Sequence, residues 1–339
     1  MSEQRTANAF VLESLGYDGL VKRARTVPEP GPGQVLVRMK AASLNFRDLK
    51  ILKGVYAKNP RLPVVVLSDG AGEIVGAGPG VSTFKAGDRV LATYMEGWHS
   101  GPMTLAREGW KSKSQDVDGT ATELAIYSCE DVLRIPDSLS YEQAACLPCA
   151  GVTAWHALVY VGHVKAGDTV LVMGSGGVSI FGLQIAKMNG AQVIATSSDD
   201  AKLQRLLELG ASHGINYKNE PKWEEAVLKL TKGRGVDHVL EVGGSATIRQ
   251  SIRATKDGGQ IETVGNLTGQ FASNAETERG IKITAITVGS REMTEDLMRA
   301  IDLHRQLPVI DRLFPFADLK PALAYLESGA HFGKVVVTF

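Results

Sequence analysis

The residues best suited to chemistry lie between Thr169 and Ser198. Gly174, Ser175, Gly176, Gly177 and Val178 follow the apolar run Val170 to Met173, which has the composition of a strand buried on both faces of a parallel sheet. Glycines in such a turn let the backbone bend sharply and approach a pyrophosphate with no side chain in the way. Apolar residues at Ile180, Phe181, Leu183, Ile185 and Met188 predict a helix from about 178 to 188, ended by Gly190. Its free N–H groups would point at the phosphates. Ser179 stands where a third glycine is usual, yet the strand–turn–helix–strand order over about 30 residues is the specific signal for a dinucleotide. A glycine turn that binds nothing is the plainer alternative.

The end of the second strand bears on which dinucleotide is held. An Asp or Glu there accepts from the ribose 2′-hydroxyl of NAD. This chain has Ser197 and Ser198, with Lys202 and Arg205 on the following helix, a set that suits a 2′-phosphate and favours NADPH. Asp199 and Asp200 leave NADH open, since either can reach back to the ribose. Lys202 and Arg205 also suit the solvated face of a helix.

The elements that would position these groups fall into two blocks, and 339 residues suggest two domains. Residues 9–127 read as strands and turns, as in Gln34–Lys40, 72–78 and the segment after Gly87. From Tyr141 onward helix and strand alternate, with strands at 169–173, 192–196, 214–217, 237–242 and 260–264 and helices at 200–209, 223–231 and 245–254. That is a doubly wound α/β array. Residues 281–288 predict one more strand, and the tail from about 309 returns to strand character and is expected to pair with the first domain. Boundaries are placed at 1–130 with 309–339, and at 131–308.

Lys plus Arg equals Asp plus Glu at 37 each, which argues against nucleic acid or an anionic membrane as partner. No apolar run approaching the ~20 residues of a membrane span is expected, and residues 1–8 lack the apolar segment of a signal peptide. Three cysteines make no disulfide framework, so a cytoplasmic location is expected.

Asn45-Phe-Arg-Asp-Leu-Lys, Leu62-Pro-Val-Val-Val-Leu-Ser-Asp-Gly-Ala-Gly, Phe84-Lys-Ala-Gly-Asp-Arg-Val, Leu147-Pro-Cys-Ala-Gly-Val-Thr-Ala-Trp, the glycine turn and the final Gly333-Lys-Val-Val occur in the order of the medium-chain dehydrogenase/reductase family, which the chain resembles over nearly its whole length. It is most similar to the zinc-independent, quinone-oxidoreductase branch. The Asn-Phe-Arg-Asp segment is also similar to the enoyl-reductase modules of fatty-acid and polyketide synthases. The resemblance implies a GroES-like β-rich catalytic domain beside a Rossmann cofactor domain.

Zinc-dependent relatives supply Cys, His and Cys to a catalytic zinc, leaving one position open. Here Asn45 stands at the first ligand position, Leu67-Ser68-Asp69 replaces Gly-His-Glu, and only Cys149 matches. The four-cysteine structural lobe is replaced by a polar loop, 95–119. No zinc is therefore expected.

Without a Lewis acid, polarising the substrate falls to side chains. The resemblance implies Asn45 and Tyr56 as catalytic candidates, Asn45 donating to a carbonyl oxygen and Tyr56 donating a hydrogen bond or proton; a packing role for the Tyr56 ring is equally open. Arg47 and Asp48 are read as an internal ion pair. Thr153, Gly265 and Asn266 match nicotinamide-adjacent positions, Tyr217 one beside the adenosine phosphate, and Lys334 one in the cofactor-adjacent C-terminal strand, with an exposed edge lysine as its alternative. Cys146 and Cys149 have thioredoxin-like spacing but lack the thioredoxin context.

The expected activity is NADPH-dependent hydride transfer to an activated C=C bond or a quinone, with a small carbonyl compound as partner. A zinc-free alcohol or aldehyde oxidoreductase using Tyr56 or Ser68, and an idle nucleotide-binding protein, are the rivals. Family members pair the strand corresponding to 281–288 across a two-fold axis, which implies a homodimer.

Overall fold

The computed structural model describes residues 5–56, 61–102, 110–265 and 275–339. They form two compact units, Met1–Cys149 with Gly289–Phe339, and Ala150–Val288. Residues 131–149 and 289–308 thus group with the β-rich unit, unlike the expected division. Long-range contacts decide this. The strand Val132–Arg134 pairs antiparallel with Arg89–Ala92. The helix Arg291–His304 has its first N–H groups taken by the carbonyls of Trp98 and His99, and Asp302 accepts from the Ser138 hydroxyl at 2.6 Å.

The β-rich unit is built around the strand Gln34–Ser43, which pairs antiparallel with Asp69–Ala77, Leu124–Ser128 and Lys334–Thr338. The C-terminal strand also runs parallel to Ile310–Pro315, so Lys334 is not on an edge strand. A smaller sheet of Leu20–Val27, Arg5–Leu12 and Val64–Val65 shares its core, where Leu12, Leu44, Leu52, Val65, Leu323 and Val335 are all buried. Burying such side chains stabilises by about 1.5–3 kcal/mol each. The short helix Phe46–Leu52 leaves the central strand next to this core, carrying Arg47 and Asp48.

The second unit has a seven-stranded sheet in the order His213–Asn216, Gln192–Ser197, Thr169–Met173, Val236–Glu241, Thr255–Thr263, Lys282–Ala285, Ala275–Glu276. All pairs are parallel except the last. Every residue of Thr169–Met173 is buried, as a central parallel strand requires. The strand expected over 281–288 is shorter, Lys282–Ala285, with the Ile286 N–H just beyond it donating to the Thr263 carbonyl. It is also not a bare edge: Ala275–Glu276 pairs with Lys282 and Ile283.

One helical run, Tyr141–Val161, is 21 residues long and its most apolar 18-residue window has mean hydropathy 1.5, long and apolar enough by composition to cross a bilayer, contrary to expectation. Since 78% of its most apolar window is buried, it reads as a core helix.

The helix Gly177–Met188 packs on the sheet through Gly182, where a Cβ would lie 2.4 Å from Leu240 Cδ2 and 3.4 Å from Val172 Cγ1. Close helix–strand approach is the task of the third glycine of a dinucleotide turn; here Gly182 performs it. Gly182→Ile should therefore cost about 1–3 kcal/mol through overpacking, read as a lower urea midpoint. A midpoint within error of the native protein would contradict this packing.

Candidate functional site

In the second unit the turn is open where a phosphate would approach. Gly174 has φ +76°, and a Cβ on Gly174 or Gly176 would meet nothing within 4 Å. Gly176 precedes the first turn of the helix Gly177–Met188, with Val178 inside it, and Ser175 is buried beside the turn. The Ser179 hydroxyl donates to the Met173 carbonyl at 2.5 Å, locking helix to strand. A polar cradle without side chains at a helix N-terminus fits a dinucleotide pyrophosphate.

At the end of the next strand, Ser197 is buried and its hydroxyl accepts from the Asp199 N–H at 3.2 Å. The Tyr217 N–H donates to the Ser197 carbonyl at 3.0 Å, which brings these two predicted residues together, with Tyr217 exposed. Ser198 is half-buried. Both nearby acids are engaged: Asp199 caps the helix Asp200–Glu208 through the Lys202 N–H (2.9 Å), and Asp200 accepts from Asn216 Nδ2 (2.6 Å).

Gly265 must be glycine for packing, since a Cβ would lie 2.1 Å from the Val242 carbonyl oxygen. Asn266 lies outside the described residues. Thr153 is buried on the helix Val152–Trp155. Sequence reasoning missed Glu241, at the carboxyl end of its strand: fully buried, it accepts from the N–H groups of Gly243 and Gly244 and from the hydroxyls of Thr247 and Ser251. No local motif marks it, because its partners come from the following loop and helix.

In the β-rich unit a buried polar cluster surrounds Asn45. Its Oδ1 accepts from the Lys334 ammonium (2.6 Å), and its Nδ2 donates to Asp69 Oδ2 (3.0 Å). The Lys334 ammonium also donates to the Leu44 carbonyl (2.6 Å). Asp69 accepts further from the Ser68 hydroxyl (3.1 Å) and the Cys149 N–H (3.2 Å). Lys334 is not the exposed lysine offered as its alternative: it is 3% exposed and bonded inside the cluster. Ser68 is fully buried and spent on Asp69, so it makes a poor proton relay. Burial pushes the Asp69 carboxyl above its ordinary range, against the pull of Lys334.

Beside this cluster, Asp48 accepts from the Asn45 N–H (2.7 Å), and its other oxygen lies 3.8 Å from Arg47 Nη1. Arg47 and Asp48 are the expected internal ion pair, but the guanidinium is chiefly held by aromatic rings, 4.8 Å from the Tyr56 centroid and 4.7 Å from that of Tyr94. The Tyr56 ring packs, and its hydroxyl lies 3.4 Å from that of Tyr94. Tyr56 is 41% exposed, whereas Tyr94 is buried.

These donors do not fit zinc. Asn45 Oδ1 is turned to an ammonium and Ser68 to a carboxylate. Burial, then the nearby Asp69, raises the Cys149 thiol, and Cys149 is the one soft donor among Asn45, Ser68 and Cys149. Cys146 is likewise pushed up to about 12 by burial, which removes the low thiol pKa of a redox pair. In the 95–119 loop, Trp98 is buried and stacked on Trp110 at 5.0 Å, and Lys113 is fully buried. Residues 103–109 lie outside the described ones. What was read as a polar loop is thus partly core.

A β-rich GroES-like unit and a Rossmann-type parallel sheet in one chain, with a glycine turn opening the helix Gly177–Met188, define a nucleotide-dependent dehydrogenase class. Residues 31–137 match the alcohol dehydrogenase GroES-like domain, and 177–303 the zinc-binding dehydrogenase family. A zinc-type alcohol dehydrogenase-like protein of Schizosaccharomyces pombe is 41% identical over 336 residues, covering 96% of each chain. Among solved structures, an alcohol dehydrogenase candidate from Sinorhizobium meliloti 1021 shares 39% identity at TM-score 0.92, with complete coverage of both chains. An NAD-dependent alcohol dehydrogenase shares 32% at TM-score 0.89, covering 98% of this chain and 99% of its own. The chain belongs to the medium-chain dehydrogenase/reductase family, as an alcohol dehydrogenase-like oxidoreductase.

Burial raises the Asp48 carboxyl from 3.8 to about 6, more than Arg47 lowers it. The stability of its protonated form is fully present below the unfolded value and is lost as pH rises through about 6. Asp48→Asn, which keeps an acceptor for the Asn45 N–H, should therefore gain about 1–3 kcal/mol over the native protein at roughly pH 8 and nothing at roughly pH 4. Melting temperatures across this range check it; a variant equally changed at both ends would overturn the assignment.

Proposed function

We propose that the protein is a zinc-independent, NADPH-dependent reductase of activated C=C bonds or quinones. The observation that supports this reading is the buried Asn45–Lys334–Asp69 cluster, in which Asn45, matched by resemblance to a metal-ligand position, is bonded to an ammonium and a carboxylate. When bound, the reduced nicotinamide supplies a hydride. The chain's own work is to hold that cofactor on the Gly174–Gly177 turn and to stabilise charge on the substrate oxygen. Asn45 keeps one amide hydrogen beyond its bond to Asp69, and the exposed Tyr56 offers a hydroxyl; both are assigned to the substrate.

NADPH is preferred because the acids nearest the strand end are engaged elsewhere, Asp199 in helix capping and Asp200 with Asn216. Ser197, Ser198, Lys202 and Tyr217 then frame a 2′-phosphate. The names of the relatives favour a second reading, alcohol or aldehyde oxidoreduction on the same cofactor. A homodimer and a cytoplasmic location belong to the proposal; the outer strand Ala275–Glu276 means that a dimer joined edge to edge would pair through it as well as through 284–288.

A panel of enones, quinones, alcohols and aldehydes with NADPH and NADH tests the reading. Enone or quinone turnover with NADPH, unchanged by a chelator and with less than one zinc per chain, is expected. Turnover of alcohols or aldehydes alone selects the second reading, and one tightly held zinc per chain overturns zinc independence. Lys202→Ala should weaken NADPH binding by about 1.5–3 kcal/mol with little change for NADH; equal losses would reject the 2′-phosphate assignment.

A further inference from the structure

The buried Glu241 carboxylate draws all its side-chain partners from one short stretch of chain. Its Oε1 accepts from the N–H groups of Gly243 (2.7 Å) and Gly244 (3.1 Å) and from the Thr247 hydroxyl (2.7 Å), and its Oε2 accepts from the Ser251 hydroxyl. These bonds curl residues 242–247 back over the end of the strand Val236–Glu241, with Gly244 at φ +100°. A Cβ on Gly243 would lie 2.3 Å from Thr247 Oγ1, so the curl leaves no room for a side chain there. The same residue holds a second loop by its backbone. The Glu241 carbonyl accepts from the N–H groups of Val264 (2.8 Å) and Gly265 (3.3 Å). The two loops abut, since a Cβ on Gly265 would lie 2.7 Å from Val242 Cα. Burying a carboxylate is costly beside burying an apolar side chain. What this position gains for that cost is a fixed geometry in two loops.

The sheet order says what the loops serve. Counted along the chain from Thr169–Met173, the parallel strands lie side by side in the order 3-2-1-4-5-6. A dinucleotide on such a sheet straddles the carboxyl ends where the order reverses, between strands 1 and 4. The open glycine turn follows strand 1 and Ser197 ends strand 2, which puts the adenosine half over the side of strands 1 to 3. The other half falls over strands 4 and 5, and the loops after those strands are the two that Glu241 holds. Val242, Gly243, Val264 and Gly265 are only half-buried there. The Ser251 hydroxyl also lies 3.9 Å from Met173 Sδ, which joins the clamp to the end of strand 1.

We propose that Glu241 is a positioning residue for the nicotinamide half of the cofactor. It is fully buried and acts through the two loops rather than by contact with the ligand. This rests on the cofactor part of the reading above and not on the substrate. In that role the carboxylate works as a set of acceptors, and glutamine can replace it. One amide oxygen serves the three donors now on Oε1, and the Ser251 hydroxyl can turn to accept from the amide nitrogen.

Binding to the full chain, without turnover, tests the assignment. The probes are NADPH, read by nicotinamide fluorescence, and its adenine half, adenosine 2′,5′-bisphosphate, read by calorimetry; NADH and 5′-AMP replace them if native protein prefers NADH. Glu241→Met should weaken NADPH binding about 10-fold and leave the bisphosphate within about twofold of native. Glu241→Gln should hold both ligands within about threefold of native. Thr247→Val, which removes one donor and keeps the carboxylate, should weaken NADPH alone by about threefold. Circular dichroism confirms the fold, and if Glu241→Met does not fold, Thr247→Val decides by the same split. Equal weakening of both ligands, NADPH binding unchanged in the folded variants, or a loss in Glu241→Gln as large as in Glu241→Met overturns the inference. NADPH-dependent enone turnover by native protein without the split sinks the positioning role alone. The split without enone or quinone turnover supports the positioning role and sinks the reductase reading. Native protein that binds neither NADPH nor NADH overturns both.

Discussion

A cation buried away from water must be paired, and in the β-rich unit that requirement ties together parts of the chain almost 300 residues apart. Lys334, on the last strand, places its ammonium on Asn45 Oδ1 and the Leu44 carbonyl, while Asn45 passes the charge to Asp69 through its amide. Asp69 in turn gathers Ser68 and the Cys149 backbone. Removing any one member would leave a buried charge without its partner, the costly case for ions in a protein interior. The strand pairing of Lys334–Thr338 with Gln34–Ser43 and the start of the helix Phe46–Leu52 are therefore held by the same few polar atoms that form the candidate site.

The cofactor-binding unit is organised by a different constraint, close approach of backbone. Gly174 and Gly176 leave space above the turn, while Gly182 lets the helix sit against Val172 and Leu240. The fully buried Glu241 fixes the loop after the neighbouring strand by collecting two N–H groups and two hydroxyls. One side of the sheet's carboxyl end is thus kept bare for phosphate, and another is made rigid by a buried carboxylate. Both devices pre-order the backbone before any ligand arrives, which lowers the entropy that binding would otherwise cost.

Membership of a family whose names speak of zinc sits beside a site whose donors are ill suited to it. The two are compatible because a fixed positive charge, rather than a metal as such, is what stabilises negative charge developing on oxygen. Lys334 and Arg47 both bring such charge into this unit, one bonded to Asn45 and the Leu44 carbonyl and one, among the described residues, with two buried donors unpartnered. The aromatic stack around Arg47 supplies attraction through the ring faces while leaving its donor edge unspent.

The glycine turn, its strand and helix, and the alternation of the cofactor unit were legible in the sequence, because they depend on spacing within about 30 residues. At Asn45 and Ser68 the family resemblance implied a departure from a metal-ligand set, and the structure adds that these side chains are bonded to Lys334 and Asp69. Neighbours far along the chain decided the rest. Residues 289–308 grouped with the β-rich unit through the carbonyls of Trp98 and His99. The strand read as 281–288 shortened to Lys282–Ala285 and gained a cover strand. Lys334, whose alternative reading was an exposed edge lysine, is buried, and Arg47 read as a plain ion pair and stands between two tyrosines. Local pattern fixes periodicity and turns, whereas the partner of a buried charge is chosen by whichever distant segment the fold brings within about 3 Å of it, where hydrogen bonds form.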